Sequence, residues 1–527
     1  MASPNDMNGG KTLARATLVL VAALAVLAVA AVPCPLAGED ITSDSEDRKQ
    51  TTVNLAIRDA VAQAIEENLG VNAKRIEWKI ATTDIDAANA QYDPVLYGEG
   101  HYGESRTAGA AMPLLGGLLG GEPTNEKKWR GRLGMQGKFP LGTTMDIFYQ
   151  SERLETDTEL LLFTPFNPTY KTELSLSVTQ PLLKKGGLEY GTADEYIAQN
   201  NLTRAELAIV LAAETLISDV ENAYWDLVAS LKERDVRSKS IDLAKKFCDD
   251  VRDKLRNGHA TEVDLRSAET DVAVQCESLC IVEQQIQDNQ NRLRHLIAPF
   301  KYPLAETVIY VPTDNPAIMA NRADIDSCVQ AALKCRPEVL MKDIELKNAE
   351  IQLGKSRNEL LPTFDLKLTG SAKSTSDAYT RSASEVLGVD YPQWEAGFYF
   401  EVPIGNAAAW SAHRRNRYTQ ELIKLERANL EQQIAQEVKQ AANAFDTAFV
   451  RVDTASKSLD LAVKRYLAEK ERFEQQHSTA YQVLQMLRDI VQAELSLEKS
   501  KVESNKAYSR LEKSRGTLLS DRGLQVK

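Results

Sequence analysis

The sequence predicts a mainly α-helical protein with a smaller set of membrane β-strands, in which one order of elements occurs twice. Long stretches rich in Ala, Glu, Lys, Leu, Gln and Arg show heptad spacing. Only 6% of the 527 residues are aromatic and 26% are charged, a composition that favours long helices over a compact globule. Short alternating segments interrupt the helices at prolines, and the same series of helices and strands recurs in the second half.

The N-terminal residues have the pattern of a secretory signal. Basic residues precede an apolar run, Thr17–Val32, and small residues follow it, as in the regions of a signal peptide. We therefore expect residues 1–37 to be a signal peptide. Two alternatives stay open. The run could anchor the chain, although it is shorter than the roughly 20 residues of a spanning helix, and Cys34 could be lipidated, although Pro33 precedes it.

The long helical stretches carry coiled-coil stripes. In the most regular stripe, small and apolar residues follow one another at alternating steps of four and three, the spacing of a coiled-coil seam. Its members are Ala441, Phe445, Ala448, Val452, Ala455, Leu459, Ala462 and Tyr466. The many alanines predict that the packed helices approach one another closely.

A similar short segment follows each long stripe. In "KLRNGHATEVDL", Gly258 is typical of a helix C-cap and Thr261 of the N-cap of a returning helix. The segment "RFEQQHSTAYQV" aligns with it, with Gln476 at the position of Gly258 and His477 at that of His259. The sequence therefore predicts two helical hairpin tips.

The predicted strands also occur in matching pairs. "AQYDPVLYGEGHYG" and "RNELLPTFDLKLTG" each read as a helix end, a proline and a strand, and "LSLSVTQPLL" and "AGFYFEVPIG" each read as a strand, a proline and a helix start. Period-two alternation places residues such as Phe364, Leu366 and Leu368 on one face. The helix–strand junctions are predicted at Pro94, Pro181, Pro362 and Pro403.

The first half carries an insertion between its two strands. It contains a glycine-rich loop and then residues 129–154, which read as a strand, a turn at Gly142 and a second strand. This hairpin could add two strands to the sheet or lie outside it as a flap, and we prefer the first interpretation. The chain is therefore expected to contribute four, possibly six, strands.

These elements define the predicted domain organisation. The first repeat, 38–298, contains a helix 53–92, strands near 95–104 and 172–182, a long helix 186–256, a tip 257–261 and a returning helix 262–298. A segment between the two repeats, 299–322, follows and is called the equatorial segment. The second repeat, 323–520, contains a helix 323–361, strands near 363–374 and 394–403, a long helix 407–475, a tip 476–479 and a returning helix 480–519, before a tail 521–527.

The number of strands predicts an assembly. Strands of about ten residues can cross an outer membrane, but a membrane barrel needs at least about eight of them. An open sheet edge in lipid leaves backbone groups unpaired at several kcal/mol each. We therefore expect copies of the chain to share one barrel, most simply as a trimer. The helix 186–256 would extend about 105 Å below it, and twelve such helices would enclose a tunnel.

The chain resembles the TolC-like outer membrane efflux proteins. The resemblance is carried by "LLPTFDLKLTG", "VTQPLLKKGG", "VENAYWDLV" and "RNGHATEVDL", and it covers essentially the whole mature chain. It implies a homotrimer in the cell outer membrane, with a 12-stranded β-barrel continuous with an α-helical periplasmic tunnel. It also implies docking to an inner-membrane pump, proton-driven or ATP-driven, through a periplasmic adaptor, for efflux or type I secretion.

The sequence departs from the family at the tunnel mouth. Drug-efflux members narrow the mouth with aspartates at positions that are Gln482 and Gln485 here, and amides would select less strongly for cations. In the family, a set of interacting polar residues, the lock, holds the mouth closed. Asp264 of this lock is present here, but the positions of its partners are occupied by Phe473 and Ser478. The residues predicted to act in adaptor docking or gating are Gly258, His259, Thr261, Asp264, Phe473, Gln476, His477, Ser478, Gln482 and Gln485.

Composition and motifs exclude other classes. A net charge of −12 without a basic stripe argues against a nucleic-acid partner. The sequence shows no catalytic constellation, so we expect no enzyme activity and no cofactor. Cys276 and Cys280 share a helix face but have no neighbouring ligands, which favours free thiols over a metal site.

The remaining alternative is a periplasmic coiled-coil spacer of the cell envelope without a pore. Such a spacer has no use for membrane strands, so the strands favour a passive export channel. The cargo stays open among drugs, metal ions, lipids and proteins, because in this architecture the pump and adaptor would select it.

Overall fold

The structure is a computed structural model that describes residues 51–107, 124–157, 166–297, 308–316, 324–475 and 477–524. The expected signal peptide, the glycine-rich loop of the insertion, most of the predicted segment 299–322, Gln476 and residues 525–527 lie outside the described residues.

Eight strands and eleven α-helices are present within these ranges. The strands are β1 (Thr51–Leu55), β2 (Val95–Thr107), β3 (Thr124–Lys138), β4 (Thr144–Thr156), β5 (Thr169–Pro181), β6 (Val308–Pro312), β7 (Thr363–Ser376) and β8 (Pro392–Glu401). The helices are α1 (Ile57–Glu67), α2 (Leu69–Asn89), α3 (Leu188–Gly191), α4 (Ala193–Arg256), α5 (Glu262–Ile297), α6 (Ile325–Cys335), α7 (Pro337–Asn358), α8 (Tyr379–Leu387), α9 (Ala407–Glu474), α10 (Ala480–Arg515) and α11 (Leu518–Asp521).

Two helical hairpins dominate the chain. Helix α4 has 64 residues and packs along α5, and α9 has 68 residues and packs along α10. At 1.5 Å per residue the two long helices measure about 96 and about 102 Å. The predicted seam of α9 faces inward, because Phe445, Ala448 and Val452 are buried.

Six strands form one antiparallel sheet in the order β2-β3-β4-β5-β7-β8. The inserted hairpin, β3 and β4, lies within this sheet between β2 and β5, so it is not a separate flap. One chain does not close the sheet into a barrel, since β2 and β8 are its two edges.

The sheet has two chemically different faces, as expected from alternation along each strand. One face exposes large apolar side chains from both ends of the sheet: Leu96, Tyr102, Trp129, Leu133, Leu176, Leu368, Trp394, Phe398 and Phe400. The other face is polar. On it Glu152 pairs with Lys128 at 2.9 Å and with Arg130 at 3.2 Å, and Arg132 pairs with Asp146 at 3.1 Å.

The structure corrects two predicted helices. The helix predicted at 53–92 is strand β1 followed by α1 and α2, which meet at Asn68, and the side chain of Asn68 accepts a bond from the Gly70 N–H at 2.8 Å. The helix predicted at 323–361 is divided into α6 and α7 at Pro337. Proline lacks the N–H that a continuous helix requires but fits the first position of a new one.

Two further elements differ from the prediction. Strand β6 lies in the equatorial segment 299–322 and pairs in parallel with β1. Helix α8 lies between β7 and β8, where no helix was predicted. Together β1 and β6 help to cover the largest apolar core, in which Tyr224 of α4 is fully buried and donates to Asp314 Oδ2 at 2.8 Å.

Among the described residues, no helix has both the length and the apolar character required to cross a bilayer.

Candidate channel mouth at the hairpin tips

The first tip is the turn between α4 and α5. Gly258 has a φ of +77°, a left-handed conformation that glycine adopts without the strain of a side chain. The His259 N–H then donates to the Lys254 carbonyl at 2.8 Å, and the Gly258 N–H donates to the Leu255 carbonyl at 3.0 Å. These bonds satisfy carbonyl groups at the end of α4, as in glycine-terminated helices.

Helix α5 begins with a reciprocal cap. The Asp264 carboxylate accepts from the backbone N–H of Thr261 at 3.0 Å and from its hydroxyl at 2.7 Å. In return, the Thr261 hydroxyl oxygen accepts from the Asp264 N–H at 3.2 Å. Asp264, which the resemblance associates with a lock, therefore stabilises the start of its own helix.

The second tip, between α9 and α10, has similar hydrogen bonds on either side of Gln476. The His477 N–H donates to the Arg472 carbonyl at 2.8 Å. Thr479 caps α10 in a box with Gln482, whose side-chain oxygen accepts from the Thr479 N–H at 3.2 Å. The same oxygen accepts from the Ser478 hydroxyl at 2.9 Å. Asp264 and Gln482 thus occupy equivalent positions of the two tips.

A shared apolar core joins the two hairpins near their tips. The ring of Phe473 lies 5.6 Å from that of Phe247, and Lys254 Nζ lies 3.7 Å from the Phe473 ring centre. Val251, from α4, and Val483, from α10, are buried in the same cluster. Phe473 therefore holds the hairpins together by apolar contact, at a position where the family resemblance predicts a polar partner.

An ion pair between a buried carboxylate and a half-exposed arginine lies beside this core. Asp271 of α5 is fully buried, and its Oδ1 lies 2.7 Å from Nε of Arg488 in α10. Sequence reasoning missed this pair. Its signal was a carboxylate on the inward face of a coiled-coil helix, a position that normally holds an apolar residue. Burial also raises the pKa of the nearby Cys248 thiol.

The outer surface of the tips exposes apolar side chains. Val263 is 73% exposed and Tyr481 is 64% exposed. They line a groove of about 480 Å³ between α5 and α10, which is also bordered by Arg266 and Arg488. Gln485 is half-buried on the same helix as Gln482.

The four predicted junction prolines lie where the sheet meets the helices. Pro94 and Pro362 immediately precede β2 and β7, Pro181 ends β5, and Pro403 follows β8. Pro181 and Pro362 lie near each other. The N–H of Lys184, three residues after Pro181, donates to the Pro362 carbonyl at 3.4 Å.

The sheet, with one apolar and one polar face, is continued at one end by two helical hairpins of about 100 Å, and this arrangement is the channel-tunnel fold predicted from the sequence. Residues 328–517 match the family model described as outer membrane efflux protein. This match covers 190 of the 527 residues, and the described chain has the fold of solved outer membrane channels.

Three of those structures illustrate the likeness. The CmeC channel of Campylobacter jejuni is 14% identical with a TM-score of 0.60, over 94% of this chain and 95% of that one. VceC of Vibrio cholerae is 13% identical with a TM-score of 0.61, over 87% and 96%. The open state of Neisseria gonorrhoeae MtrE is 15% identical with a TM-score of 0.58, over 88% and 89%. The curated proteins include no match.

The fold class and the family resemblance predicted from the sequence are confirmed.

Proposed function

We propose that the chain forms a homotrimeric channel-tunnel that conducts cargo passively from the periplasm to the exterior. The observation that carries this proposal is the two-faced sheet with two unpaired edges. Its apolar face suits lipid, and its polar face suits a water-filled lumen. In lipid, unpaired N–H and C=O groups along β2 and β8 would be strongly unfavourable. Pairing β2 of one copy with β8 of the next removes both edges.

The helical hairpins suit the periplasmic part of this channel. The helices, about 100 Å long, extend from the end of the sheet that carries the junction prolines. Their tips expose Val263 and Tyr481. An exposed apolar groove at a tip suits a protein partner. We propose that the tips contact a periplasmic adaptor, which connects the channel to an inner-membrane pump in a tripartite efflux or type I secretion system.

The tip residues have separate roles in this proposal. Gly258, Thr261, His477 and Thr479 set the shape of the tips, and Phe473 joins the two hairpins. Gln482 and Gln485 face the mouth in the trimer and leave it without a carboxylate ring. His259 and His477 would bring six imidazoles to the mouth of a trimer.

The test is to purify the protein in detergent and reconstitute it in planar bilayers. Native mass measurements should give three copies per particle, and single particles should carry ionic current. A trimer that gives no current would contradict the channel and support the alternative, an envelope spacer. A monomer stable in lipid would contradict both the shared barrel and the role of the open edges.

A further inference from the structure

The inserted hairpin gives each chain two strands that do not continue into helices. Strands β2, β5, β7 and β8 each meet a helix at the end of the sheet that carries the junction prolines. Strands β3 and β4 are instead joined to each other at that end by a short turn, residues 139–143. Six strands of one chain therefore adjoin only four long helical segments, α2, α4, α7 and α9.

Strands β3 and β4 are full members of the sheet. The β2–β3 ladder extends from Val95↔Gln136 to Thr107↔Thr124, and the β3–β4 ladder extends from Glu126↔Thr156 to Lys138↔Thr144. Their apolar residues continue the apolar face, since the ring of Trp129 lies 4.5 Å from that of Tyr102 on β2. Their charged residues continue the polar face through Glu152 and its two basic partners.

The turn, residues 139–143, packs against the residues that follow β5 and precede α4. Gly142 has a φ of +86°, and a Cβ added there would lie 2.4 Å from the Lys185 carbonyl oxygen. A Cβ added at Gly191 would lie 1.7 Å from the Pro140 carbonyl oxygen. The Gly187 N–H donates to the Leu141 carbonyl at 3.3 Å. Backbone thus packs directly on backbone, which fixes the end of the hairpin beside the start of α4.

We propose that the trimer closes an 18-stranded barrel above a 12-helix tunnel, so that the exit is wider than that of a 12-stranded barrel. This inference rests on the proposed trimeric channel. Three copies of a six-stranded sheet supply the strands, and barrel diameter grows roughly in proportion to strand number. With strands about 4.8 Å apart and tilted by about 40°, the backbone diameter is about 36 Å, against about 24 Å for 12 strands.

Because the barrel is wide, the size of the cargo is limited elsewhere in the channel. The polar face of the inserted hairpin carries paired charges, with Lys128 and Arg130 on Glu152 and Arg132 on Asp146. It therefore forms a hydrated wall rather than a binding site. The size limit falls at the tips, where apolar packing and the Asp271–Arg488 pair hold the hairpins together.

The experiment is polymer exclusion on single channels in planar bilayers. Polyethylene glycols of increasing size are added to each side in turn, and a channel of this fold with four strands per chain is measured in parallel. The barrel side should admit polymers of about 1.5-fold larger radius than the reference channel admits. An equal cut-off would overturn the inference while leaving the channel function intact, whereas the absence of trimers would overturn both.

A deletion variant isolates the hairpin. Residues 108–168 are replaced by an Asn-Gly turn, which joins β2 directly to β5. The variant should still form conducting trimers, with the polymer cut-off reduced to that of the reference channel, and an unchanged cut-off would overturn the inference. Electron microscopy of the native trimer decides independently of the variant, because 18 strands in cross-section support the inference and 12 overturn it.

Discussion

Glu214 is a buried carboxyl group whose ionisation opposes folding. It lies on α4 and is 4% exposed. Burial, with a smaller effect of the Glu338 charge, raises its pKa from 4.5 to about 7, against the opposing charges of Arg336 and Lys513. Between these pH values the folded chain holds a proton that the unfolded chain has released. The stability contributed by protonated Glu214 is therefore complete below pH 4.5 and is lost as the pH rises through 7.

Glu214→Gln should remove this pH dependence, because the amide resembles the protonated acid and cannot ionise. We expect the variant to equal the native protein at pH 4 and to exceed it by up to about 3 kcal/mol per chain at pH 8. Urea unfolding in detergent at the two pH values measures the difference. The exposed Glu283→Gln is the matched control, and an equal gain in the control would contradict this assignment.

The Asp271–Arg488 pair should stabilise the tip region strongly. Arg488→Met would leave the fully buried Asp271 carboxylate without its cation, at an expected cost of about 1–3 kcal/mol, since the Arg488 side chain itself is 44% exposed. Arg266→Met is the control, because Arg266 is 70% exposed in its pairs with Glu262 and Glu269 and such pairs contribute about 0–1 kcal/mol. Urea unfolding compares the two, and similar losses would disprove a special role for the Asp271–Arg488 pair.

In the proposed channel, Gln482 and Gln485 should limit cation selectivity. Gln482→Asp combined with Gln485→Asp would restore carboxylates at positions that suit a cation-selective ring. Asp264 forms the equivalent cap at the first tip, so the exchange at 482 should preserve the start of α10. Reversal potentials in a salt gradient should shift towards cations. Gln482→Glu with Gln485→Glu should shift them in the same direction, and unchanged potentials would show that these residues do not face the conduction path.

At the scale of elements, α8 explains why polar residues occur on the apolar face of the sheet. It packs over one end of β5 and β7, where Thr172 and Ser374 point to that face. The Thr172 hydroxyl donates to the Ser382 carbonyl at 2.9 Å, and the Ser382 hydroxyl donates to the Ser374 carbonyl at 3.2 Å. The helix therefore shields these polar groups and satisfies their hydrogen bonds.

Ser382→Ala should release α8 from the sheet. Ser382 is fully buried, and loss of its hydroxyl leaves a buried partner unsatisfied at about 1–3 kcal/mol. At the middle of that range the detached population would rise by about 30-fold. Trypsin cleavage after the exposed Arg381 in the folded protein reports this population. Ser384→Ala, at an exposed position of the same helix, should leave the cleavage rate unchanged, and a similar acceleration in both variants would argue against the contact.

The elements with local sequence signals were predictable, and those that depend on distant partners were not. Prolines and alternation located the ends of β2, β5, β7 and β8 because both effects act within a few residues. Strand β1 was predicted as helix, because its pairing with β6 joins Thr51 to Val308 and leaves no local trace. The capping role of Asp264 was readable from its spacing to Thr261. The partner of Asp271 was not, because Arg488 lies on another helix.

At the scale of the whole molecule, the two faces of the sheet would set its orientation in the membrane in the proposed channel. The apolar face includes the inserted hairpin as well as the strands that the sequence predicted, so lipid should contact β3 as it contacts β8. A charge on that face would have to be buried in hydrocarbon. A charge on the polar face would remain in water.

Leu133→Arg tests this orientation on the inserted strand. Leu133 is 58% exposed on the apolar face of β3, and an arginine facing lipid near the middle of a strand costs about 2–4 kcal/mol. Folding into lipid vesicles, followed by the mobility shift of unheated samples, should show a large loss of folded protein. Thr369→Arg is the matched control, because Thr369 lies on the polar face of β7 opposite Glu395, so it should fold normally. If both variants folded equally well, β3 would not face lipid, and the sheet would have to lie in water.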